Sequence, residues 1–459
     1  MHADEHPDAW RWRARTRELL GPLLAQRSRG ADAVPAGASG AEPGAVLAVL
    51  GGILREDLRS PEDVPGLPVS AMDGFAVRAA DVDPAGGASL PVALDLPASP
   101  GPAATAGQLP PGAAARIMTG APIPHGADAV IEVERTDADP HGAAPARILI
   151  GPVPGLRAGR HVRGAGEEIA RDSLLAPAGT RVGPGLLALA AMLGVTDLPV
   201  HAPDPAARGA VDARAPRVTV LVTGDEVLPG GDLPFGQATG AVRDSNGIML
   251  AAAVAERGCA ARILRSGDDP AAFLRIVRDA AQDADLVLTT GGIGHGAFDV
   301  VKAALGPAGE GTSHFAHLAL RPGGPQGRGT LPGPDGRAVP VVHLPGTPVG
   351  ALVGFHLVVR PLLGEEDLTA AVLLGGPGSP RPPLGRPRGA RDAARSRLHA
   401  LPARLEQRAG EAPRARLLPG RRLAPFATAD ALVIVELAAG EALPYGESVR
   451  CLDLRPAHG

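Results

Sequence analysis

The strongest constraint on this chain is a unit repeated between Arg217 and Leu363: an apolar strand-like run, a glycine-containing loop, and a helix-forming stretch. RVTVLVTG (217–224), DLVLTTGG (285–292) and VPVVHLPG (339–346) are rich in β-branched residues and lack polar alternation. That texture belongs to strands buried on both faces of a parallel sheet. Helical patterns follow at about 245–257, 270–282, 297–305 and 348–360. The alternation predicts a doubly wound α/β domain with right-handed crossovers, whose ligands sit at the carboxyl ends of the strands.

The whole chain has 459 residues, enough for roughly three or four domains. Residues 9–27 read as a peripheral helix, and 28–45 as a flexible joint of small and proline-containing residues. Apolar residues from Val46 to Leu58 recur at helical spacing, and a proline-punctuated, strand-like region then runs to about 160. A helix near 184–193, a joint at 199–216 and a linker at 374–393 complete the pattern, followed by a final β-rich module. The expected division is 1–45 helix and joint, 46–70 with 165–214 a linking domain, 71–164 a β domain, 215–363 the α/β domain, and 394–459 a C-terminal β module.

A net charge of −4 with 20 % charged residues gives no basic surplus for nucleic acid or an anionic membrane. Cys259 and Cys451 are too few for a disulfide framework or a zinc site. The longest apolar run, Gly185–Val195, falls short of the ~20 residues of a membrane span. These features lead to the expectation of a cytoplasmic protein.

Four carboxylates, Asp225, Glu226, Asp244 and Asp299, fall in loops after predicted strands or at the first turn of the next helix. Each by itself is explained by helix capping. Converging on one crevice they would repel one another, and such a cluster is held ionised by a bound cation. Magnesium, with one or two carboxylates and a phosphorylated ligand, fits that chemistry. The glycines of GGIGHG (291–296) allow close backbone approach to a phosphate, but the loop lacks the lysine and hydroxyl of an ATPase loop. His295 lies in that loop and is a candidate ligand contact. His314 and His317, three apart in a strand, point to opposite faces and read as unrelated. Cys259 reads as a small buried hydrophobe, and Lys302 as an i, i+3 partner of Asp299.

Eight segments then occur in a particular order: SAMDGFAV (70–77), RIMTGAPIPHGADAVIEVE (116–134), GEEI (166–169), TGDEV (223–227), DSNG (244–247), TTGGIGHGAFDVVK (289–302), RPGGP (321–325) and LPGTPVGA (344–351). In these the chain resembles the molybdopterin molybdenumtransferase family (MoeA and the gephyrin E-domain) over about 46–363. The resemblance implies an elongated homodimer with a linking domain, a β domain, a MogA-like α/β domain and a C-terminal β module. It implies insertion of molybdenum from molybdate into adenylylated molybdopterin, with Mg²⁺-dependent release of AMP, in a cleft shared between subunits. Asp73, Glu168, Glu226, Asp244 and Asp299 would be the functional acids, with Asp244 and Asp299 on the metal. Thr119, Gly120, Thr223, Gly224, Asp225, Ser245, Asn246, Gly291, Gly292, Gly294, Arg321, Pro345 and Pro348 would line the substrate site. Apo-molybdoenzymes and other cofactor-synthesis proteins are candidate partners, and the bound oxyanion could be molybdate or tungstate.

The chain departs from the family pattern where oxyanion donors are expected. GGIGHG has Gly294 in place of a serine, RPGGP has Gly324 in place of a lysine, and PGTPVG has Thr347 and Gly350 in place of asparagine and serine. A serine-rich C-terminal segment is GRRLAPFAT (420–428), and the usual GEDI is GEEI at Glu168. Loss of charged and hydroxyl donors predicts weaker binding of a tetrahedral oxyanion. Two alternatives stay open: a non-catalytic pterin-binding or scaffold paralogue, and a nucleotide-pyrophosphate hydrolase built on the same α/β domain.

Overall fold

A computed structural model describes residues 8–28, 47–96, 107–139, 143–201, 215–228, 242–294, 299–364, 368–375, 396–407, 410–420, 422–438 and 440–455. The 28–45 joint, most of the 199–216 joint and the linker after Gly375 lie almost wholly outside these residues, as do His295 and Gly296.

Five strands form the middle sheet: β1 (Gly74–Val77), β2 (Ala88–Leu96), β3 (Ala114–Ile117), β4 (Ala129–Glu132) and β5 (Arg147–Ile150). Their order is β4-β1-β3-β2-β5, with β2 and β3 parallel and the other pairs antiparallel. Phe75, Ile131, Ile148 and Ile150 pack on one face and Ala76, Ala115, Ile117 and Val130 on the other. The central strands are therefore buried on both sides, which explains their unbroken apolar runs.

The α/β domain carries β6 (Arg217–Thr223), β7 (Ala260–Ser266), β8 (Leu286–Thr290), β9 (Ser313–His317), β10 (Pro325–Pro332) and β11 (Ala338–Leu344) in the order β7-β6-β8-β11-β10-β9. The first four are parallel and the last two antiparallel, so the sheet is mixed. Chain order reverses between β6 and its two neighbours, which opens a crevice at the carboxyl ends of β6 and β8. Asn246–Ala255 packs on one face; Pro270–Asp283 and Val300–Leu305 pack on the other. The doubly wound expectation for this region is met.

The C-terminal strands β12 (Leu368–Leu374), β13 (Arg397–Glu406), β14 (Arg414–Leu417), β15 (Ala431–Leu437) and β16 (Ser448–Asp453) close on themselves. The order β13-β14-β12-β16-β15 is completed by β15 pairing back to β13, which makes a small barrel. Its first strand precedes the 374–393 segment, so the module begins near 368 rather than at 394. The local run LTAAVLL gives no hint of partners more than 40 residues away.

Two helix expectations need correction. Residues 9–28 do form a helix, α1 (Ala9–Ser28), but it is docked rather than peripheral. Trp12, Leu20 and Leu24 are buried in the largest core, and the guanidinium of Arg328 from β10 lies 4.0 Å from the Trp12 ring centroid while donating to Thr16 Oγ1 at 2.9 Å. Buried positions spaced by four along an arginine-rich sequence concealed this face. Across the described part of the Val46–Leu58 span, 47–58, by contrast, no long helix forms. The chain turns at Gly51, whose φ of 82° suits glycine, and Ile53–Leu54 pairs with Val200–His201. Pairing across some 150 residues overrides a helical pattern that is weak locally.

Candidate functional site

At the carboxyl edge of the sheet β6 ends in Thr223, and the loop after it carries Gly224, Asp225 and Glu226. Thr223 is buried and donates through Oγ1 to the carbonyl of Thr290 at 3.1 Å, joining the ends of β6 and β8. The next loop along the edge, after β7, supplies Asp268. Asp225 N–H donates to Asp268 Oδ2 at 3.3 Å, and Asp268 N–H donates to Asp225 Oδ1 at 3.2 Å. Burial, with the charges of Asp268 and Asp225, holds the Glu226 carboxyl above its usual range. Burial, with Asp225 and Asp299, does the same for Asp268. Asp225, Glu226, Asp268 and Asp299 therefore form one electrostatically coupled group.

Asp268 was not singled out from the sequence. The signal was available in SGDDP: Asp269 caps the following helix, its Oδ2 accepting from Ala272 N–H at 2.7 Å, and Pro270 opens that helix. One aspartate suffices for the cap, so the other is left for the crevice.

Asp299 and Asp244 differ in a way their sequence contexts hid. Asp299 stands at the N-cap of Val300–Leu305, yet its side chain makes no capping bond. Asp244 is almost wholly buried; Oδ1 accepts from Gly247 N–H at 2.7 Å and Oδ2 pairs with Arg265 at 2.7 Å. Its carboxylate is thus engaged as helix cap and ion-pair partner. Each Asp244 oxygen thus has a protein partner, and a place for Asp244 beside Asp299 on a metal would use the remaining lone pairs. Among the described residues no ready-made set of three metal donors occurs.

Neighbouring residues tie the loops together. Asn246 Nδ2 donates to Thr290 Oγ1 at 2.9 Å and to the carbonyl of Gly346 at 2.8 Å, while Thr290 Oγ1 donates to the carbonyl of Pro345 at 2.9 Å. Ser245 is buried beside them. Gly291 has a φ of 93°, and a Cβ there would stand 2.7 Å from Thr223 Oγ1, so only glycine fits this close approach. Gly292 follows against Val301, and a Cβ on Gly294 would lie 3.6 Å from Asp299 Oδ1. A side chain at 294 would thus stand beside the acid. Lys302 Nζ lies 3.5 Å from the carbonyl of Gly294.

Other expected site residues belong elsewhere in the fold. Asp73 Oδ1 accepts from both the N–H and the hydroxyl of Thr119 at 2.7 Å, within the middle domain, where Gly120 N–H donates to Ser70. Glu168 pairs with Arg163 at 2.7 Å and with Arg422, from the barrel, at 3.3 Å. Arg422 also holds Glu167 at 2.6 Å, and the Gly164 N–H together with Arg422 keeps the Glu167 carboxyl below its usual range. Arg321 lies in a short strand that pairs Leu320–Arg321 with Leu398–His399, joining its loop to the barrel.

Two of the departures have a steric counterpart. A Cβ on Gly324 would meet His317 Nε2 at 2.7 Å. A Cβ on Gly350 would meet Thr347 Oγ1 at 2.6 Å and Pro345 Cβ at 3.1 Å, in the loop that Pro348 leads into the next helix. The imidazole and the threonine hydroxyl each fill space next to a glycine. His314, three residues before His317, instead faces Trp12 with ring centroids 5.6 Å apart.

Residues 24–194 match the model of the MoeA N-terminal region (domain I and II), and 219–365 that of a probable molybdopterin binding domain. Molybdopterin molybdenumtransferase 2 of Mycobacterium tuberculosis is 41 % identical over 320 residues, covering 68 % of this chain and 71 % of that protein. The chain belongs to the MoeA family. The molybdopterin molybdenumtransferase of Bacillus subtilis is 32 % identical over 312 residues, with 68 % of this MoeA-family chain and 67 % of its own length covered. The MoeA protein of Pyrococcus horikoshii aligns over 96 % of this chain and 98 % of its own at 26 % identity, with a TM-score of 0.40. The acid group and the glycine loop fall inside the molybdopterin-binding match, and Asp73 and Glu168 inside the N-terminal one. Among the described residues no helix is long and apolar enough to cross a membrane.

Proposed function

We propose that this MoeA-family protein is a molybdopterin molybdenumtransferase that inserts molybdenum from molybdate into adenylylated molybdopterin, with Mg²⁺-dependent release of AMP. The observation that carries the reading is the group of carboxylates, Asp225, Glu226, Asp268 and Asp299, gathered at the carboxyl edge of the sheet. Glu226 and Asp268, raised by burial and by neighbouring carboxylates, belong to a donor set that a divalent cation would favour. Asp299 and Asp268 fit as its ligands, with Asp225 or Glu226 in support. When bound, magnesium would neutralise charge on the phosphoanhydride and position the attacking group.

The remaining roles belong to the chain itself. Gly291 and Gly292 bring backbone close to the phosphates, and Asn246 fixes the loop of Pro345 and Pro348 against β8. Thr119 orients Asp73 by two hydrogen bonds, and Glu168 is steadied by Arg163 and Arg422. Asp244 supports the start of its helix and the loop before it, a positioning role. Arg321 is the remaining cation of the RPGGP loop for the oxyanion. In a homodimer the middle domain of one subunit would face the acid group of the other.

Reconstitution tests this reading. Purified protein is mixed with adenylylated molybdopterin, Mg²⁺ and micromolar molybdate, and both AMP and activation of an apo-molybdoenzyme are measured. Both signals are expected, and Asp299→Asn is expected to lose both while melting as the parent does. AMP release without activation would point to a pyrophosphate hydrolase, and pterin binding with neither signal to a scaffold paralogue.

A further inference from the structure

Away from the acid crevice a cavity of about 80 Å³ lies where the linking segment, the α/β domain and the barrel meet. Gly183–Gly185, at the start of the helix Pro184–Met192, forms one wall; Leu352 and His356 form another; the barrel supplies the rest. The walls approach closely, since a Cβ on Gly185 would stand 2.7 Å from Ala427 Cα. None of the residues assigned above to the acid group or the glycine loop lines it.

Its lining is cationic. Arg181, Arg404 and Arg455 reach it, paired respectively with Glu256, Asp430 and Asp453. Arg181 and Arg404 each engage one nitrogen in these bonds, leaving further N–H donors in each fork. Asp430, the carboxylate in the lining, is engaged at both oxygens: Oδ1 pairs with Arg404 and Oδ2 accepts from Leu405 N–H at 3.1 Å. Arg257 and Arg360 add positive charge around His356. Within the lining itself three guanidiniums meet one carboxylate. His356 is 3 % exposed, lines the cavity, and its Nδ1 is buried with no hydrogen-bond partner. A polar ring buried at the wall of the cavity is a hydrogen-bond partner for a group held there.

We propose that this junction cavity binds a tetrahedral oxyanion of the phosphate class, held by Arg181, Arg404 and Arg455 with Thr428 and His356 as neutral partners. At about 30 Å³ per water the space suits two or three waters or one such ion, and is too small for a nucleotide. The arginine forks match its geometry, and the helix beginning at Pro184 adds the positive end of its dipole. A bound ion would clamp three parts of the chain together.

Calorimetric titration of inorganic phosphate and of sulfate into the full-length protein, at constant ionic strength set with chloride, tests this. Glycerol 3-phosphate titrated alongside distinguishes a free ion from a phosphate ester. Saturable binding that weakens tenfold or more in Arg404→Gln, and is unchanged in Asp299→Asn, is the expected result. Thr428→Val, which keeps every charge, should weaken binding severalfold and covers the case in which Arg404→Gln folds poorly. A selenate soak should give an anomalous peak between Arg404 and His356. No saturable binding by about 10 mM, or binding lost in Asp299→Asn but not in Arg404→Gln, overturns the proposal.

Discussion

Gly324→Lys is the substitution that best tests whether the oxyanion loop of this chain has been remodelled. Gly324 does not lie in the left-handed region, so backbone strain is not the obstacle. The obstacle is His317: a Cβ at 324 would stand 2.7 Å from Nε2, 3.1 Å from Cδ2 and 3.2 Å from Cε1. An intruding side chain of this kind costs about 1–3 kcal/mol, or roughly 2–12 °C in melting temperature for a domain of this size. The lysine alone should therefore destabilise the protein and gain little. With His317→Ala the space opens, and an ammonium facing the oxyanion should contribute about 1.5–3 kcal/mol, a tightening of molybdate by roughly tenfold to a hundredfold. The assay is a double-mutant cycle: melting curves and molybdate calorimetry on the parent, both single variants and the pair. Additive melting shifts would refute the packing of His317 against Gly324. A stable double variant that binds molybdate no better than the parent would refute the loop's assignment to the oxyanion.

Asp244→Asn is expected to lower stability by about 3–5 kcal/mol, because it leaves Arg265 without its charge partner and weakens a buried cap; a melt identical to the parent would contradict the positioning role. Asp268→Asn should raise the Mg²⁺ concentration needed for half-maximal AMP release at least severalfold, and an unchanged Mg²⁺ curve would remove Asp268 from the metal set. Mixing Asp73→Asn with Asp299→Asn protein should restore part of the activity through heterodimers with one intact cleft, and no recovery after verified subunit exchange would count against a shared site. His343 is fully buried between Thr289 and Ser313, and burial depresses its pKa to about 3 from an ordinary 6.5. The unfolded chain takes up that proton first, so stability should fall as pH drops below 6.5, by about 1.4 kcal/mol per unit until the folded pKa is reached. His343→Gln should flatten part of this slope in melts between pH 7 and 5, and an unaltered slope would refute it.

The sequence by itself determined the α/β domain, because strands buried on both faces announce themselves as unbroken β-branched runs and each is followed by its own glycine loop and helix. It also determined which loops carry the acids, since RVTVLVTG, DLVLTTGG and VPVVHLPG fix where the strands end. The tertiary structure decided what each acid does there. Asp244 and Asp299 look alike before their helices, but Asp244 is paired with Arg265, and that arginine comes from a different strand. Asp268 joins the group because β7 lies beside β6 in the sheet, an adjacency no local pattern encodes. The same holds for α1, for the strand that opens the barrel before its linker, and for His317 beside Gly324. Periodicity reports the face a residue turns inward; which partner waits on that face depends on chain topology, and pairings across tens to hundreds of residues leave no mark on the local sequence.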